Sequence, residues 1–72
     1  MQEKTIQIRD EFIKLGQAMK LADLVSEGAE AKLYIQDGEV LVNGEVCTQR
    51  GKKLCPGDVF SFRDIKVRVE AR

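Results

Sequence analysis

The stretch EVLVNGEV, residues 39–46, holds Asn43 and Gly44 between two short runs of aliphatic residues. An Asn-Gly pair in this setting is the strongest short-range signal for a β-hairpin, because both residues tolerate the positive φ angles of a two-residue turn. A two-residue turn would create two cross-strand pairs, Leu41 with Val46 and Val42 with Glu45. The alternation of apolar side chains does not settle this register, so a longer loop is an open alternative.

A first helix is expected well before the hairpin. Asp10 can cap it, and the helix then runs to about Ala22 with apolar residues at the i, i+3, i+4 and i+7 positions of one face. Gly16 falls inside this span, where glycine costs about 1 kcal/mol relative to alanine. It therefore lies either where another backbone comes close or at an irregular helix start.

A second helix is expected between the first helix and the hairpin. Ser26 can cap it, the helix runs through Gln36, and Gly38 is well placed to end it in the left-handed conformation. The residues expected in the core are Leu15, Ala18, Met19, Ala22, Leu24, Ala31, Tyr34, Ile35, Val40 and Val42.

Strand patterns lie at both ends of the chain. Residues 5–8 alternate and predict a short first strand, while residues 59–62 and 66–69 predict two strands after a turn at residues 56–58. The order is one strand, two helices and four short strand segments. We therefore predict a single α+β domain over residues 1–72, with two packed helices against a short, mainly antiparallel sheet.

The composition indicates a globular domain with one modest core. Of the 72 residues, 33% are charged and 43% are hydrophobic, which is typical of a soluble chain rather than a disordered one. No unbroken apolar run exceeds three residues, so we expect neither a membrane span nor a signal peptide. The expected location is the cytoplasm.

Few residues could carry catalysis. Histidine is absent, and Cys47 and Cys55 are the only cysteines, whereas a structural zinc site needs four such ligands. The chain also lacks a glycine-rich phosphate loop and a Ser/His/Asp set. We expect no enzyme activity, no metal or other cofactor and no small-molecule substrate. The two cysteines are expected to be reduced and partly buried, with a disulfide as the alternative if their strands are adjacent.

Charge is distributed unevenly along a chain whose net charge is zero. Residues 1–49 carry five basic and nine acidic residues, a balance of −4, and residues 50–72 carry seven basic and three acidic residues, a balance of +4. The segment TQRGKKL, residues 48–54, is the densest cluster of cations. If the hairpin folds back beside the helices, its cations and amide donors form one surface suited to phosphate. The alternative is a solvated loop that keeps the domain soluble.

The order of these residues resembles the RNA-binding domain of the small-subunit ribosomal protein S-four type, over about residues 6–62. The motif of that family is a helix, a glycine, Val-x-Val-Asn-Gly and a later Gly-Asp. The matching residues here are Ala31, Lys32, Ile35, Gly38, Val40, Val42, Asn43, Gly44, Gly57 and Asp58. The likeness is closest to the stand-alone bacterial members of the family.

The resemblance implies a non-catalytic protein that docks on structured RNA, either ribosomal RNA or RNA of ribosome assembly, through an αL motif. The basic helix position of the family falls on Lys32, and its basic loop falls on Arg50, Lys52 and Lys53. Where the family often has Ser-Arg at the start of the second helix, this chain has Ser26-Glu27. The candidate RNA-binding residues are Lys20, Lys32, Asn43, Arg50, Lys52 and Lys53.

A protein-interaction module is the alternative function, with Leu33, Leu41 or Phe60 as exposed anchors. A contiguous apolar patch would favour it, and a contiguous basic patch would favour RNA. Tyr34 is the aromatic residue nearest to the expected basic surface, and its helical spacing favours the core. Stacking of bases on aromatic rings is therefore not the expected binding mode.

Overall fold

The computed structural model describes residues 2–72, which form seven strands and two helices. The strands are β1 (Gln2–Ile8), β2 (Ile13–Lys14), β3 (Val40–Val42), β4 (Glu45–Val46), β5 (Lys53–Leu54), β6 (Val59–Phe62) and β7 (Ile65–Ala71). The helices are α1 (Leu15–Leu21) and α2 (Gly28–Gln36). Neither of these two helices is long and apolar enough to cross a bilayer.

Five strands form one mixed sheet in the order β1-β7-β6-β3-β4. Every neighbouring pair in it is antiparallel except β1 and β7, which run parallel. Strands β2 and β5 form a separate two-stranded antiparallel ribbon. The prediction of an α+β domain with two helices and a mainly antiparallel sheet is confirmed, although β1 is longer than the predicted residues 5–8.

The start of the first helix differs from the prediction. Asp10 is not the cap, because residues 9–11 form bends and α1 begins only at Leu15. The Leu15 N–H donates to the Lys52 carbonyl oxygen at 2.8 Å, and the Gly16 N–H donates to the Arg50 carbonyl oxygen at 3.2 Å. Carbonyl groups of a distant segment thus satisfy donors that a side-chain cap would otherwise take.

The second helix also begins later than predicted but ends where expected. Glu27 rather than Ser26 is its N-cap residue, and no side chain caps it. At the other end Gly38 has φ of +78°. The Gly38 N–H donates to the Ile35 carbonyl oxygen and the Glu39 N–H to that of Tyr34, which is the Schellman pattern.

The hairpin has the two-residue turn. Asn43 and Gly44 have φ angles of +50° and +88°. The register pairs Leu41 with Val46 and Val42 with Glu45. Of the two alternatives left open by the sequence, the tight turn is therefore the one that occurs.

The core lies between one face of the large sheet and the two helices. Its buried residues are Ile6, Ile8, Leu15, Ala18, Met19, Ala22, Val25, Ala31, Ile35, Val40, Val42, Leu54, Phe60, Phe62, Val67 and Val69. Leu24 and Tyr34 were expected in the core but are only partly buried at its edge, where the Tyr34 ring lies 4.9 Å from that of Phe62. The opposite face of the sheet carries polar side chains such as Lys66 and Arg68, both exposed.

Replacing Ile35 by alanine should lower the free energy of unfolding by about 2–5 kcal/mol, because Ile35 is fully buried and its truncation leaves a cavity. Chemical denaturation measures this loss. Leu33→Ala on the same helix is the control, since Leu33 is 63% exposed and its truncation should change stability by less than about 0.5 kcal/mol. Equal effects of the two changes would contradict the placement of Ile35.

Replacing Gly44 by valine should destabilise the domain by about 1–3 kcal/mol, because a β-branched residue resists a positive φ angle. The matched control is Gly51→Val. A Cβ atom meets nothing within 4 Å at either glycine, but only Gly44 has positive φ. The two variants therefore differ in backbone strain rather than in crowding. An unchanged melting temperature for Gly44→Val would be evidence against the turn described here.

Candidate functional site

A groove lined by cations opens where the starts of both helices meet the turn at residues 50–51. It has a volume of about 400 Å³. The residues that line this basic groove are Lys14, Gly16, Gln17, Lys20, Gly28, Arg50 and Gly51. Three of them are cationic and none carries a carboxylate. The lining of the groove therefore offers an anion three positive charges.

Contacts between the helix start and the 50–52 segment hold the groove in shape. Besides accepting the Gly16 N–H, Arg50 lays its side-chain stem across α1 at this position. A Cβ atom on Gly16 would lie only 2.8 Å from Arg50 Cγ. The two alternatives for Gly16 therefore apply together. The helix starts one residue before it, and a distant segment comes close to it.

The ribbon of β2 and β5 places like charges together. Lys14 is directly opposite Lys53 in the antiparallel register, and both side chains are exposed. Like charges directly opposite each other in a sheet are destabilising, typically by about 0.2–1 kcal/mol. The only ion pair among residues 2–72 joins Arg63 and Glu39 at 3.4 Å, so neither lysine is neutralised by a carboxylate in that part of the chain.

Lys32 lies on α2, outside the lining of the basic groove. It is exposed and lies four residues after Gly28, so it is on the same side of the helix one turn further on. Helical side chains lean toward the N-terminus, which directs Lys32 back toward the groove. The structure therefore brings together two of the predicted site residues, Lys20 and Arg50, at one groove.

Lys52 and Asn43 belong to a different groove, which lies beside the hairpin and has a volume of about 450 Å³. Asn43 Oδ1 accepts the Val59 N–H at 3.1 Å, and Asn43 Nδ2 donates to Asp58 Oδ1 at 3.3 Å. Asp58 Oδ2 in turn accepts the Cys55 N–H at 2.7 Å. The Asn43 side chain thus ties the hairpin turn to the turn at residues 56–58, and its contact with RNA stays a prediction.

Lys53 lies beside an aromatic ring. Its Nζ atom is 4.8 Å from the centroid of Phe12, a ring that is 37% exposed on the loop before β2. Sequence reasoning missed Phe12, Lys14 and Gln17 as surface neighbours of the predicted cations. The three-residue spacing of Gln17 and Lys20 within the predicted helix was an available signal, whereas no local signal gives the positions of Phe12 and Lys14, which the β2–β5 ribbon sets.

The structure corrects two expectations about apolar and sulfur groups. Phe60 is fully buried and cannot be an exposed anchor, and Leu33 and Leu41 lie on opposite sides of the large sheet. These residues therefore do not form one apolar patch. Cys47 and Cys55 are free thiols, and Cys55 is exposed rather than partly buried as expected.

Known proteins provide independent comparisons. A sequence model of the S4 domain matches residues 6–70. A Bacillus subtilis (strain 168) protein named "Probable ribosome maturation protein RlbA" is 50% identical over 57 residues, which cover 79% of this chain and 80% of that protein. An Escherichia coli (strain K12) protein named "Putative RNA-binding protein YbcJ" is 36% identical over 59 residues, covering 82% and 84% of the two chains.

Replacing Gly16 by alanine should not stabilise the wild-type chain, because the added Cβ atom displaces the Arg50 stem. In an Arg50→Ala background, the same change should stabilise the domain by up to about 1 kcal/mol, the usual helix preference for alanine. Chemical denaturation of the four chains of this double-mutant cycle measures the difference. Equal effects in both backgrounds would show that Arg50 does not crowd Gly16.

Proposed function

The chain belongs to the S4 domain family, and on this basis we propose that it is a non-catalytic protein that binds structured RNA through the basic groove. The observation that carries the proposal is a groove lined by Lys14, Lys20 and Arg50 without a carboxylate. The names of its relatives, ribosome maturation and RNA-binding proteins, favour ribosomal RNA or its precursors as the target and the cytoplasm as the place of action.

Phosphate is the chemical group that this groove suits. The Arg50 guanidinium can donate two parallel hydrogen bonds to one phosphate, while the flexible lysines act as point charges. The groove wall at Gly28 and Gly51 has no side chains, which lets a sugar-phosphate backbone approach closely. The uncapped start of α2 adds the positive end of a helix dipole. Glu27, the departure from the family pattern, is not among the lining residues.

The repulsion between the cations has a functional explanation in this proposal. Lys14 and Lys53 face each other without a carboxylate within ion-pair distance among residues 2–72. A bound phosphate would neutralise such a pair, so the energy lost in the free protein is recovered on binding. Contacts to phosphates position a protein on folded RNA largely by shape.

Replacing Lys32 and Arg50 together by alanine should weaken binding to structured RNA and flatten its salt dependence. Each phosphate contact contributes a log–log slope of roughly −0.9 on duplex DNA and about −0.7 on single strands, so we expect a slope smaller by about 1 to 2 units. Salt titrations of RNA affinity measure this change. The fold should persist, because exposed charges usually contribute less than about 0.5 kcal/mol.

Lys66→Ala with Arg68→Ala is the matched control, since it removes equal charge from the exposed face of the sheet that lies away from the helices. Lys4 is unsuitable as a control because its Nζ atom donates to the Ala22 carbonyl oxygen at 3.1 Å. Equal losses for both double variants would mean binding by diffuse charge alone. Absence of RNA binding by the wild type at low salt would refute the proposal and favour a protein-interaction role.

A further inference from the structure

We propose that a second surface beside the basic groove binds one unpaired nucleobase of the same RNA by stacking on Phe12. This inference rests on the proposed RNA-binding function and specifies its substrate class: RNA in which a paired stem is interrupted by an unpaired nucleotide. The surface, which we call the Phe12 pocket, is an open groove of about 670 Å³. Its apolar side chains are Ile8, Phe12, Ile13 and Leu21, and its polar ones include Gln17 and Lys20.

Phe12 is the aromatic residue that the fold leaves accessible. Phe60 and Phe62 are buried in the core, and Tyr34 packs on Phe62. Phe12 is 37% exposed, and Leu21 in the same pocket is 54% exposed. A flat aromatic face next to aliphatic walls suits a nucleobase, because every base has a π-face that stacks regardless of its identity.

The Phe12 pocket and the basic groove adjoin each other at two places. Gln17 and Lys20 line both of them, so the exposed side of α1 is their common wall. Lys53, whose Nζ atom lies over the Phe12 ring, is the cross-strand partner of Lys14 in the basic groove. A strand whose phosphates occupy the basic groove therefore passes directly beside Phe12.

The position of Lys53 over the Phe12 ring indicates which kind of ligand this ring can accept. An ammonium over an exposed ring is held weakly, whereas a stacked base is held more strongly. A base can therefore replace Lys53 on the ring, and the released ammonium is then free to contact the phosphate of that nucleotide. The lining carries two cations, Arg9 and Lys20, against one carboxylate, Asp10. Lys53 adds a third cation over the Phe12 ring, and this charge favours an anionic polymer over an uncharged apolar partner.

The test compares two RNA hairpins that differ only in one unpaired adenosine inserted into the stem. The wild-type protein should bind the interrupted stem roughly five- to 150-fold more tightly, which is the usual effect of stacking one base on an aromatic side chain. Phe12→Leu keeps an apolar side chain without a π-face and should lose this preference, while Phe12→Trp should keep it. Lys32→Ala with Arg50→Ala should weaken binding to both RNAs by the same factor and leave the preference intact.

A second readout follows the unpaired base itself. Replacing the unpaired adenosine by 2-aminopurine reports a change in the stacking of that base as a change in fluorescence, and the protein has no tryptophan to interfere. A fluorescence change on binding of the wild type that is lost with Phe12→Leu supports the proposal.

Four results would overturn it. Equal affinity of the wild type for both hairpins, or a preference retained by Phe12→Leu, would reject the base site and leave the RNA-binding proposal standing. Absence of a fluorescence change would reject the base site in the same way. Failure of the wild type to bind either RNA would reject both proposals.

Discussion

The attachment of the 50–54 segment to the start of α1 is the constraint on which both the fold and the candidate site depend. Two backbone hydrogen bonds, from Leu15 to Lys52 and from Gly16 to Arg50, cap the start of the helix, where a capping side chain is missing. Beside them the β2–β5 ribbon fixes the register of the same two segments. Because the ribbon buries Leu54 in the core, the cationic loop is anchored at its far end by apolar packing.

This attachment explains how a neutral chain can present a basic surface. Arg50 lines the basic groove with Lys14 and Lys20, and Lys53 is paired with Lys14; both of these lysines come from the acidic half of the chain. Mutual repulsion opposes that arrangement by amounts on the order of 0.2–1 kcal/mol for a directly opposed pair. Backbone hydrogen bonds and the burial of Leu54 do not depend on those charges. The fold can therefore hold the cations together before any anion arrives.

Features encoded by neighbouring residues could be predicted from the sequence, and features that depend on distant ones could not. Gly38 ends α2 and Asn43-Gly44 forms the tight turn because their own backbone preferences decide the conformation. The predicted start of α1 at Asp10 was wrong because the groups that cap this helix lie more than thirty residues away. They are backbone carbonyl groups, which carry no side-chain signal. The same limit hid Lys14 and Phe12, whose surface positions follow from the β2–β5 ribbon rather than from any local pattern.

The geometry also separates the contributions of backbone and side chain at the candidate site. Arg50 supports α1 through its carbonyl oxygen and lines the basic groove with its side chain. Substituting its side chain leaves the backbone hydrogen bond in place, so binding can change while the helix start persists. Gly16 has no such separation, because any side chain there meets Arg50 directly. The charge at this site can therefore vary with little effect on the fold. The close approach of the helix start to the 50–52 segment cannot change without disturbing the fold.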